Sequence, residues 1–180
     1  GEISTPTTQA YPLGTPTAKL TAQPTQTATV LELSASVPFI SLHMFPDGTG
    51  WASHPSNSAV YHTSDGGLNW VAVYESPGGP IYGEFYLDGS TAWLSCSDYG
   101  TLGSSILHTT DAGATWSKTS LDFTGGKLYF LDKNVGFMFC GDRLIENDLI
   151  TFYSTRDGGQ TWDQSFTLSG NLFPNLQIRG

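Results

Sequence analysis

The sequence predicts an all-β fold made of repeated four-stranded antiparallel sheets. Three observations support this prediction: an octet motif recurs at a fixed interval, no stretch of ten residues has helical periodicity, and the composition is typical of sheets joined by tight turns. The 180 residues include 21 glycines and 10 prolines, and aromatic residues make up 13%. Charged residues also make up 13%, well below the usual share of about 25%.

The octet motif appears three times, each time beginning with threonine and ending with tryptophan. The copies span Thr63–Trp70, Thr109–Trp116 and Thr155–Trp162. Their aspartates are 46 residues apart, twice. That period is too long for a solenoid coil of one strand and one helix, and it matches one four-stranded blade of a β-propeller.

Each octet is preceded by an aromatic-x-Asp turn and then by a second aromatic residue. The turns are Phe45–Asp47, Tyr86–Asp88 and Phe130–Asp132, and the second aromatic residues are Trp51, Trp93 and Phe137. In the second unit, strand and turn signals predict strands A to D at 80–87, 91–96, 105–109 and 116–121. The three predicted blades cover approximately 36–76, 80–122 and 126–168.

The residue types in the octet indicate a structural role. An aspartate carboxylate accepts backbone N–H groups across a tight turn, glycine supplies a positive φ, and tryptophan buries a large ring between sheets. The pattern Ser/Thr-x-Asp-x-Gly-x-x-Trp/Phe resembles the Asp-box, or BNR repeat, of sialidases, sortilin-type receptors and the photosystem II assembly factor family. The resemblance implies a C–D hairpin at the outer margin of a propeller, with these residues as structural elements: Asp65, Gly67, Trp70, Asp111, Gly113, Trp116, Asp157, Gly159 and Trp162.

The sialidase resemblance does not extend to the catalytic set. A sialidase needs three arginines to clamp the sugar carboxylate, and this chain has only Arg143, Arg156 and Arg179. Arg156 lies inside an octet, on the wrong rim, so we predict a protein that is not an enzyme. A glycoside hydrolase that uses Asp98 and Asp142 stays open as an alternative, because an inverting enzyme needs only two carboxyls about 6.5–9.5 Å apart.

The loops between strands B and C are the predicted binding region. They span roughly 54–59, 96–105 and 140–151, and they differ in length, whereas the turns on the octet side are short and regular. Variable loops on a fixed scaffold commonly carry binding residues. The candidate binding residues on this rim are Asp98, Tyr99, Asp142, Arg143, Glu146 and Asp148, with Tyr82 from the connection between strands D and A.

Two cysteines, Cys96 and Cys140, follow the strand-B aromatic residue by three positions in their units. Equivalent positions on adjacent blades can face one another, so a disulfide and a pair of buried thiols are both open interpretations. His54 has the corresponding place in the first unit, but three such residues lack the fourth ligand of a structural metal site. We therefore predict no metal and no cofactor.

The amino-terminal segment 1–29 is predicted to be a tether, and 30–180 the folded domain. Residues 4–29 contain nine threonines and four prolines, with Lys19 as the only charge. Such segments are typical of surface stalks, because they have little apolar surface to bury. We therefore expect an extracellular or cell-envelope location, with a lipid or wall anchor upstream.

The charge balance limits the class of partner. The chain has 7 basic and 16 acidic residues and a formal net charge of −9. Nucleic-acid binding requires clustered cations, so a nucleic-acid partner is excluded. The assembly-factor family relies on a basic surface that this acidic chain does not offer. No apolar run approaches the ~18 residues of a membrane span.

Three blades are fewer than the 4–8 of a typical closed propeller. The chain can be a fragment of a longer propeller, can close with a second copy, or can be a three-unit structure with open edges, one of which 28–33 is suited to cap. We expect a non-catalytic binding module of an exported, surface-tethered protein, with a protein or carbohydrate as ligand. A self-assembling surface subunit that uses its tail and sheet edges, with other copies of itself as partners, is the alternative.

Overall fold

The computed structural model describes residues 19–22, 29–31, 39, 41–54, 59–77, 79–98, 103–142 and 149–169. In these ranges the chain forms three antiparallel β-sheets and no helix. The predicted all-β fold of three four-stranded antiparallel meanders is confirmed. No helix of the described residues is long and apolar enough to span a membrane.

The sheets follow one another along the chain. The first sheet contains β2 (Thr29–Leu31), β3 (Ser41–Met44), β4 (Gly50–Ser53), β5 (Ala59–Thr63) and β6 (Trp70–Glu75). The second contains β1 (Lys19–Ala22), β7 (Ile81–Tyr86), β8 (Ala92–Ser97), β9 (Ser104–Thr109) and β10 (Ser117–Leu121). The third contains β11 (Lys127–Phe130), β12 (Gly136–Asp142), β13 (Leu149–Thr155) and β14 (Asp163–Ser169). In each sheet the last four strands in sequence are strands A, B, C and D of one predicted unit.

Two short strands from the amino-terminal segment extend the first two sheets. β2 pairs antiparallel with β6, and β1 pairs antiparallel with β10. Both therefore cover the outer edge of a strand D. The prediction that 28–33 caps a sheet edge is confirmed by β2. The interpretation of 1–29 as a tether did not include the pairing of β1, which joins part of that segment to the folded body.

Adjacent sheets are joined by aromatic stacking. Trp51 of the first sheet stacks on Tyr86 of the second, with ring centroids 5.4 Å apart. Trp93 of the second sheet stacks on Phe130 of the third at 3.9 Å. Both tryptophans are completely buried. Because a large aromatic side chain buries about 150–250 Å², each stack is the centre of an apolar core between two sheets.

The tryptophan indoles also make hydrogen bonds between sheets. Trp51 Nε1 donates to the carbonyl oxygen of Asp88, and Trp93 Nε1 donates to that of Gly158, both at 2.8 Å. Trp116, from the second octet, donates to the carbonyl oxygen of Val73 at 2.9 Å. These bonds satisfy a buried donor and fix the position of each sheet against the next.

The octets form the turns between strands C and D. In the first octet, Asp65 Oδ1 accepts hydrogen bonds from the Asn69 backbone N–H and the Thr63 hydroxyl, both at 2.9 Å. The other two octets repeat these bonds, with Asp111 accepting from Thr115 and Thr109, and Asp157 from Thr161 and Thr155. The fifth residue of each octet has a positive φ, from 82° to 90°, which glycine adopts without strain.

The A–B and C–D turns of each unit lie on the same rim of the sheet, here called the octet rim. A backbone hydrogen bond joins the two turns in all three units: Gly66 N–H to Gly48 O, Ala112 N–H to Ser90 O and Gly158 N–H to Asn134 O, at 2.8 to 2.9 Å. The connections between B and C and between D and A therefore lie on the opposite rim.

The first unit differs from the other two in the position of the aspartate within its A–B turn. Tyr86 pairs with Ala92 and Phe130 with Gly136, but the residue that pairs with Gly50 is Met44. The aromatic-x-Asp pattern predicts Phe45 at this position. The paired residues are six positions apart in all three units, but Asp47 stands one position later in its turn than Asp88 and Asp132 do, so alignment on the turn aspartate shifts strand A by one position.

Acid should destabilise the fold through the octet aspartates. Hydrogen bonds from the Asn69 backbone N–H, its side-chain amide and the Thr63 hydroxyl lower the pKa of Asp65. Burial acts to raise the pKa of Asp111 and Asp157, but the hydrogen bonds of the turn together outweigh it and lower the pKa. A carboxyl whose pKa is lower in the folded state contributes stability above its unfolded pKa of about 3.9. That contribution is lost as the pH falls through the folded pKa.

Thermal unfolding measured from pH 7 to pH 2 tests this expectation. The wild-type midpoint should fall steeply below about pH 4. The triple variant D65N/D111N/D157N should be less stable at pH 7 and should show a flatter acid decline. D122N, which changes an exposed aspartate outside the octets, should keep the wild-type profile. Equal acid slopes for the triple variant and the wild type would contradict the proposed role of the carboxylates.

Candidate binding rim

The rim opposite the octets is here called the loop rim. The structure describes it most fully in the second sheet. The strands that reach it are β7, which begins there, and β8, which ends there. Ile81 pairs with Cys96, and the Ser97 N–H donates to the Pro80 carbonyl oxygen at 3.0 Å. The start of strand A and the end of strand B are therefore held side by side at this rim.

Asp98 anchors the loop that follows β8. Its Oδ1 accepts from the Lys118 ammonium group at 2.8 Å, and the Ser105 hydroxyl lies 2.9 and 2.7 Å from its two carboxylate oxygens. The Asp98 N–H donates to the Gly103 carbonyl oxygen at 3.1 Å, which closes the base of the loop. The side chains of Asp98 and Lys118 are about one-third exposed or less. This predicted binding residue is thus held in a fixed position by strands C and D.

Tyr82 lies at an irregular point in strand A. The register of β7 against β8 shifts between Ile81 and Gly83, so Tyr82 is the extra residue of a β-bulge. A bulge redirects the side chain of the extra residue, and bulges are common next to binding sites. Tyr82 is 38% exposed. The backbone therefore presents a tyrosine at the same rim as Asp98.

The second and third sheets approach each other closely at this rim. A Cβ atom at Gly83 would collide with the carbonyl oxygen of Gly126. The connection into the third sheet is held by two buried hydroxyls: Ser104 accepts from the Gly125 N–H at 2.7 Å, and Ser95 accepts from the Gly126 N–H at 3.1 Å. The floor of the rim is therefore rigid, as a binding scaffold requires.

The structure locates some of the predicted binding residues and not others. Asp98 and Tyr82 lie at the loop rim of the second sheet, as described above. Asp142 is the last residue of β12, at the loop rim of the third sheet, where it pairs with Leu149; its side chain lies outside the described residues. The remaining candidates also lie outside the described residues: Tyr99, Arg143, Glu146 and Asp148.

Sequence reasoning missed Lys118 and Ser105 as contributors to this rim. The ion pair joins residues 20 positions apart, one after strand B and the other in strand D, so no local pattern indicates it. The available signal was weak: Lys118 is the single charged residue in the predicted strand 116–121. A lone charge in a half-buried strand is commonly paired, because leaving it unpaired costs free energy.

The two cysteines are free and buried. Cys96 belongs to the core between the first and second sheets, whereas Cys140 belongs to the core between the second and third. The candidate disulfide is therefore not formed, because the second sheet separates the two thiols into different cores. Burial raises the pKa of each thiol to about 12.

Comparisons with known proteins identify the fold. No protein-family model matches the chain, and no curated protein matches it. Among solved structures, the chain is similar to one described as YCF48 bound to D1 peptide, with 22% identity over 82% of this chain and a TM-score of 0.52. It is also similar to YCF48 from Cyanidioschyzon merolae, with 16% identity over 71% of this chain and a TM-score of 0.48. The chain spans only 42% and 40% of those two chains. The first similarity supports a propeller-like fold.

Thiol labelling tests the placement of the cysteines. A thiolate is the reactive form, so two buried thiols with raised pKa values should not react with a disulfide reagent at pH 8 in the native state. In denaturant without reductant, two thiols per chain should react. No reactive thiol after denaturation would instead indicate an oxidised pair, and rapid native labelling would contradict the burial of both side chains.

Proposed function

We propose that this chain is a non-catalytic, protein-binding module of an exported, surface-tethered protein, and that it binds its partner through the loop rim. The observation that carries the proposal is the contrast between the two rims. The octet rim consists of short turns closed by repeated hydrogen bonds. The loop rim presents loops of different lengths on the same scaffold, and its described part holds Asp98 and Tyr82 in place.

The hydrogen bonds of the octets support their identification as Asp-boxes of the BNR type. In all three units the aspartate accepts from the backbone N–H four residues later, at 2.9 Å. These carboxylates are used within their own turns. A structural role for them leaves ligand binding to the other rim, which agrees with the general tendency of variable loops to carry function.

A protein is the first class of ligand to test. The similar structure with a TM-score of 0.52 is described as YCF48 bound to a peptide, so a propeller-like body of this kind is compatible with peptide binding. At 22% identity this similarity supports the choice of probe and not the identity of the partner. A glycan is the alternative ligand, because a rim with an exposed tyrosine and a carboxylate also suits carbohydrate.

The contacts of Asp98 argue against the glycosidase alternative. Its carboxylate accepts from the Lys118 ammonium group and the Ser105 hydroxyl, an arrangement that fixes a loop. A catalytic carboxyl needs an oxygen within hydrogen-bond reach of the substrate, whereas both oxygens of this carboxylate already accept from groups of its own fold. We therefore assign Asp98 a positioning role in the rim.

The pairing of β1 and β2 bears on the self-assembly alternative. That alternative requires the tail to add strands to a neighbouring molecule. Lys19–Ala22 and Thr29–Leu31 pair instead with strands D of their own chain. The tail strands are thus already used within one molecule, which favours the binding module. The extracellular or cell-envelope location and the upstream anchor rest on the Thr/Pro-rich composition.

Selection from a random peptide display library, with a glycan array in parallel, tests this function. Peptides enriched on the full chain should lose at least tenfold in affinity when 99–102 and 143–148 are both replaced by Gly/Ser segments of equal length. The matched control replaces exposed residues of the octet rim, as in L68S/K133S, and should keep the wild-type affinity. Peptides that bind the loop variant unchanged, or a response confined to the glycan array, would contradict a protein-binding loop rim.

A further inference from the structure

The outward face of the third sheet is the face that would contact a fourth sheet. The strand registers define four equivalent positions on this face of each sheet. They are Trp51, Ser53, Val60 and Tyr74 in the first sheet, Trp93, Ser95, Ile106 and Thr119 in the second, and Phe137, Phe139, Phe152 and Phe166 in the third. In the third sheet all four positions are phenylalanine.

Burial separates the third sheet from the other two. The four residues are at most 4% exposed in the first sheet and at most 5% in the second, because the following sheet covers them. In the third sheet Phe137 is 43% exposed and Phe166 is 50% exposed. Phe139 and Phe152 are half-buried. An exposed apolar surface of this kind commonly marks an interaction site.

The phenylalanines form a continuous aromatic row across three strands. The rings of Phe152 and Phe166 stack with centroids 4.5 Å apart, and those of Phe139 and Phe152 are 6.2 Å apart. Phe137 is on the same strand as Phe139, two residues away, and therefore on the same face. We call these four residues the phenylalanine face.

The opposite end of the three-sheet stack is covered in part. Phe39 packs against Tyr61 and Trp70 on the outward face of the first sheet, with ring centroids 5.5 and 5.2 Å away. Tyr61 is only 7% exposed and Trp70 only 5%. On this face the described exposed apolar side chains are those of Leu42 and Met44, on the edge strand β3. A head-to-tail ring of several copies would have to displace Phe39.

We propose that the phenylalanine face binds the same face of a second copy of this chain, which gives a two-fold symmetric dimer. A surface that pairs with itself closes at two copies and leaves no further face open. Two sheets that pack face to face lie about 10 Å apart and interdigitate their side chains. The dimer continues the sheet-on-sheet packing that already joins the three sheets within one molecule.

The chemistry of the face suits self-pairing. Phe137 occupies the position in the third sheet that is equivalent to Trp51 and Trp93. Each of those tryptophans donates its indole N–H to a carbonyl oxygen of the next sheet. Phenylalanine has no donor, so the face requires only apolar surface from its partner. Lys127 pairs with Phe139 and Asp163 pairs with Ser154, so the described side chains of this sheet face carry one charge of each sign and no net charge. That balance matters for two molecules that each have a formal net charge of −9 because like charges repel. The interaction lies on a sheet face, so it is separate from the loop rim and independent of the proposed function.

Sedimentation or light scattering of the full chain over a range of concentrations tests the dimer. The wild type should reach a mass twice that of the 19.3 kDa chain. The variant F137D/F166D should raise the dimer dissociation constant at least 100-fold, because it places two carboxylates from each copy in the apolar contact. The matched control L42D/M44D changes the exposed apolar side chains of the opposite end and should keep the wild-type dissociation constant.

Because the charged variant could unfold, the milder single variants F137S and F166S are measured as well. Each should weaken the dimer in proportion to the exposed apolar area that it removes. Near-ultraviolet circular dichroism should show that the fold is retained. A wild type that is monomeric at every concentration would overturn the proposal and would indicate that the phenylalanine face does not bind a second copy. A dimer or larger ring that depends on Leu42 and Met44 would also overturn it, since that dependence requires head-to-tail contact.

Discussion

The structure depends on one repeated contact, in which the aromatic residue of strand B stacks on strand A of the next sheet. Trp51 on Tyr86 and Trp93 on Phe130 are its two instances. A single four-stranded meander has an apolar face that it cannot bury by itself, so it needs a second layer to cover that face. The stacks, with the indole hydrogen bonds that accompany them, join the three sheets into one body.

The same contact explains why the two ends of the molecule differ. At the first sheet, Phe39 takes the place of a preceding sheet by packing on Trp70. At the third sheet the end surface is the phenylalanine face, where Phe137 is 43% exposed and Phe166 is 50% exposed. The loop rim lies on neither end, and its described residues depend on the middle sheet, which is packed on both faces. A rigid rim and an open sheet face thus coexist on one small scaffold, and they can serve different partners.

Much of the architecture is predictable because it is local and repeated. The 46-residue period, the turn aspartates and the paired rims follow from short-range patterns, which three copies reinforce. Four features were missed for physical reasons. Met44 takes the place predicted for Phe45 because Asp47 stands one position later in a turn of the same length, which alignment on the aspartate hides. The pairing of β1 joins residues about 100 positions apart, as Lys19 with Ser120, and Thr-rich sequence gives little apolar signal for it. The contact of Asp98 with Lys118 is likewise set by the tertiary fold, as is the bulge that exposes Tyr82.

The central claim, that aromatic contacts between sheets hold the three units together, is tested most directly by hydrogen exchange of the tryptophan indole N–H groups. Trp51, Trp93 and Trp116 each donate to a carbonyl oxygen of a neighbouring sheet. If the sheets are stable only together, these three protons should exchange as slowly as the backbone amides of β8, because both require global unfolding. Rapid exchange of the three indoles while the β8 amides stay protected would show that the sheets separate without unfolding, and would contradict the account.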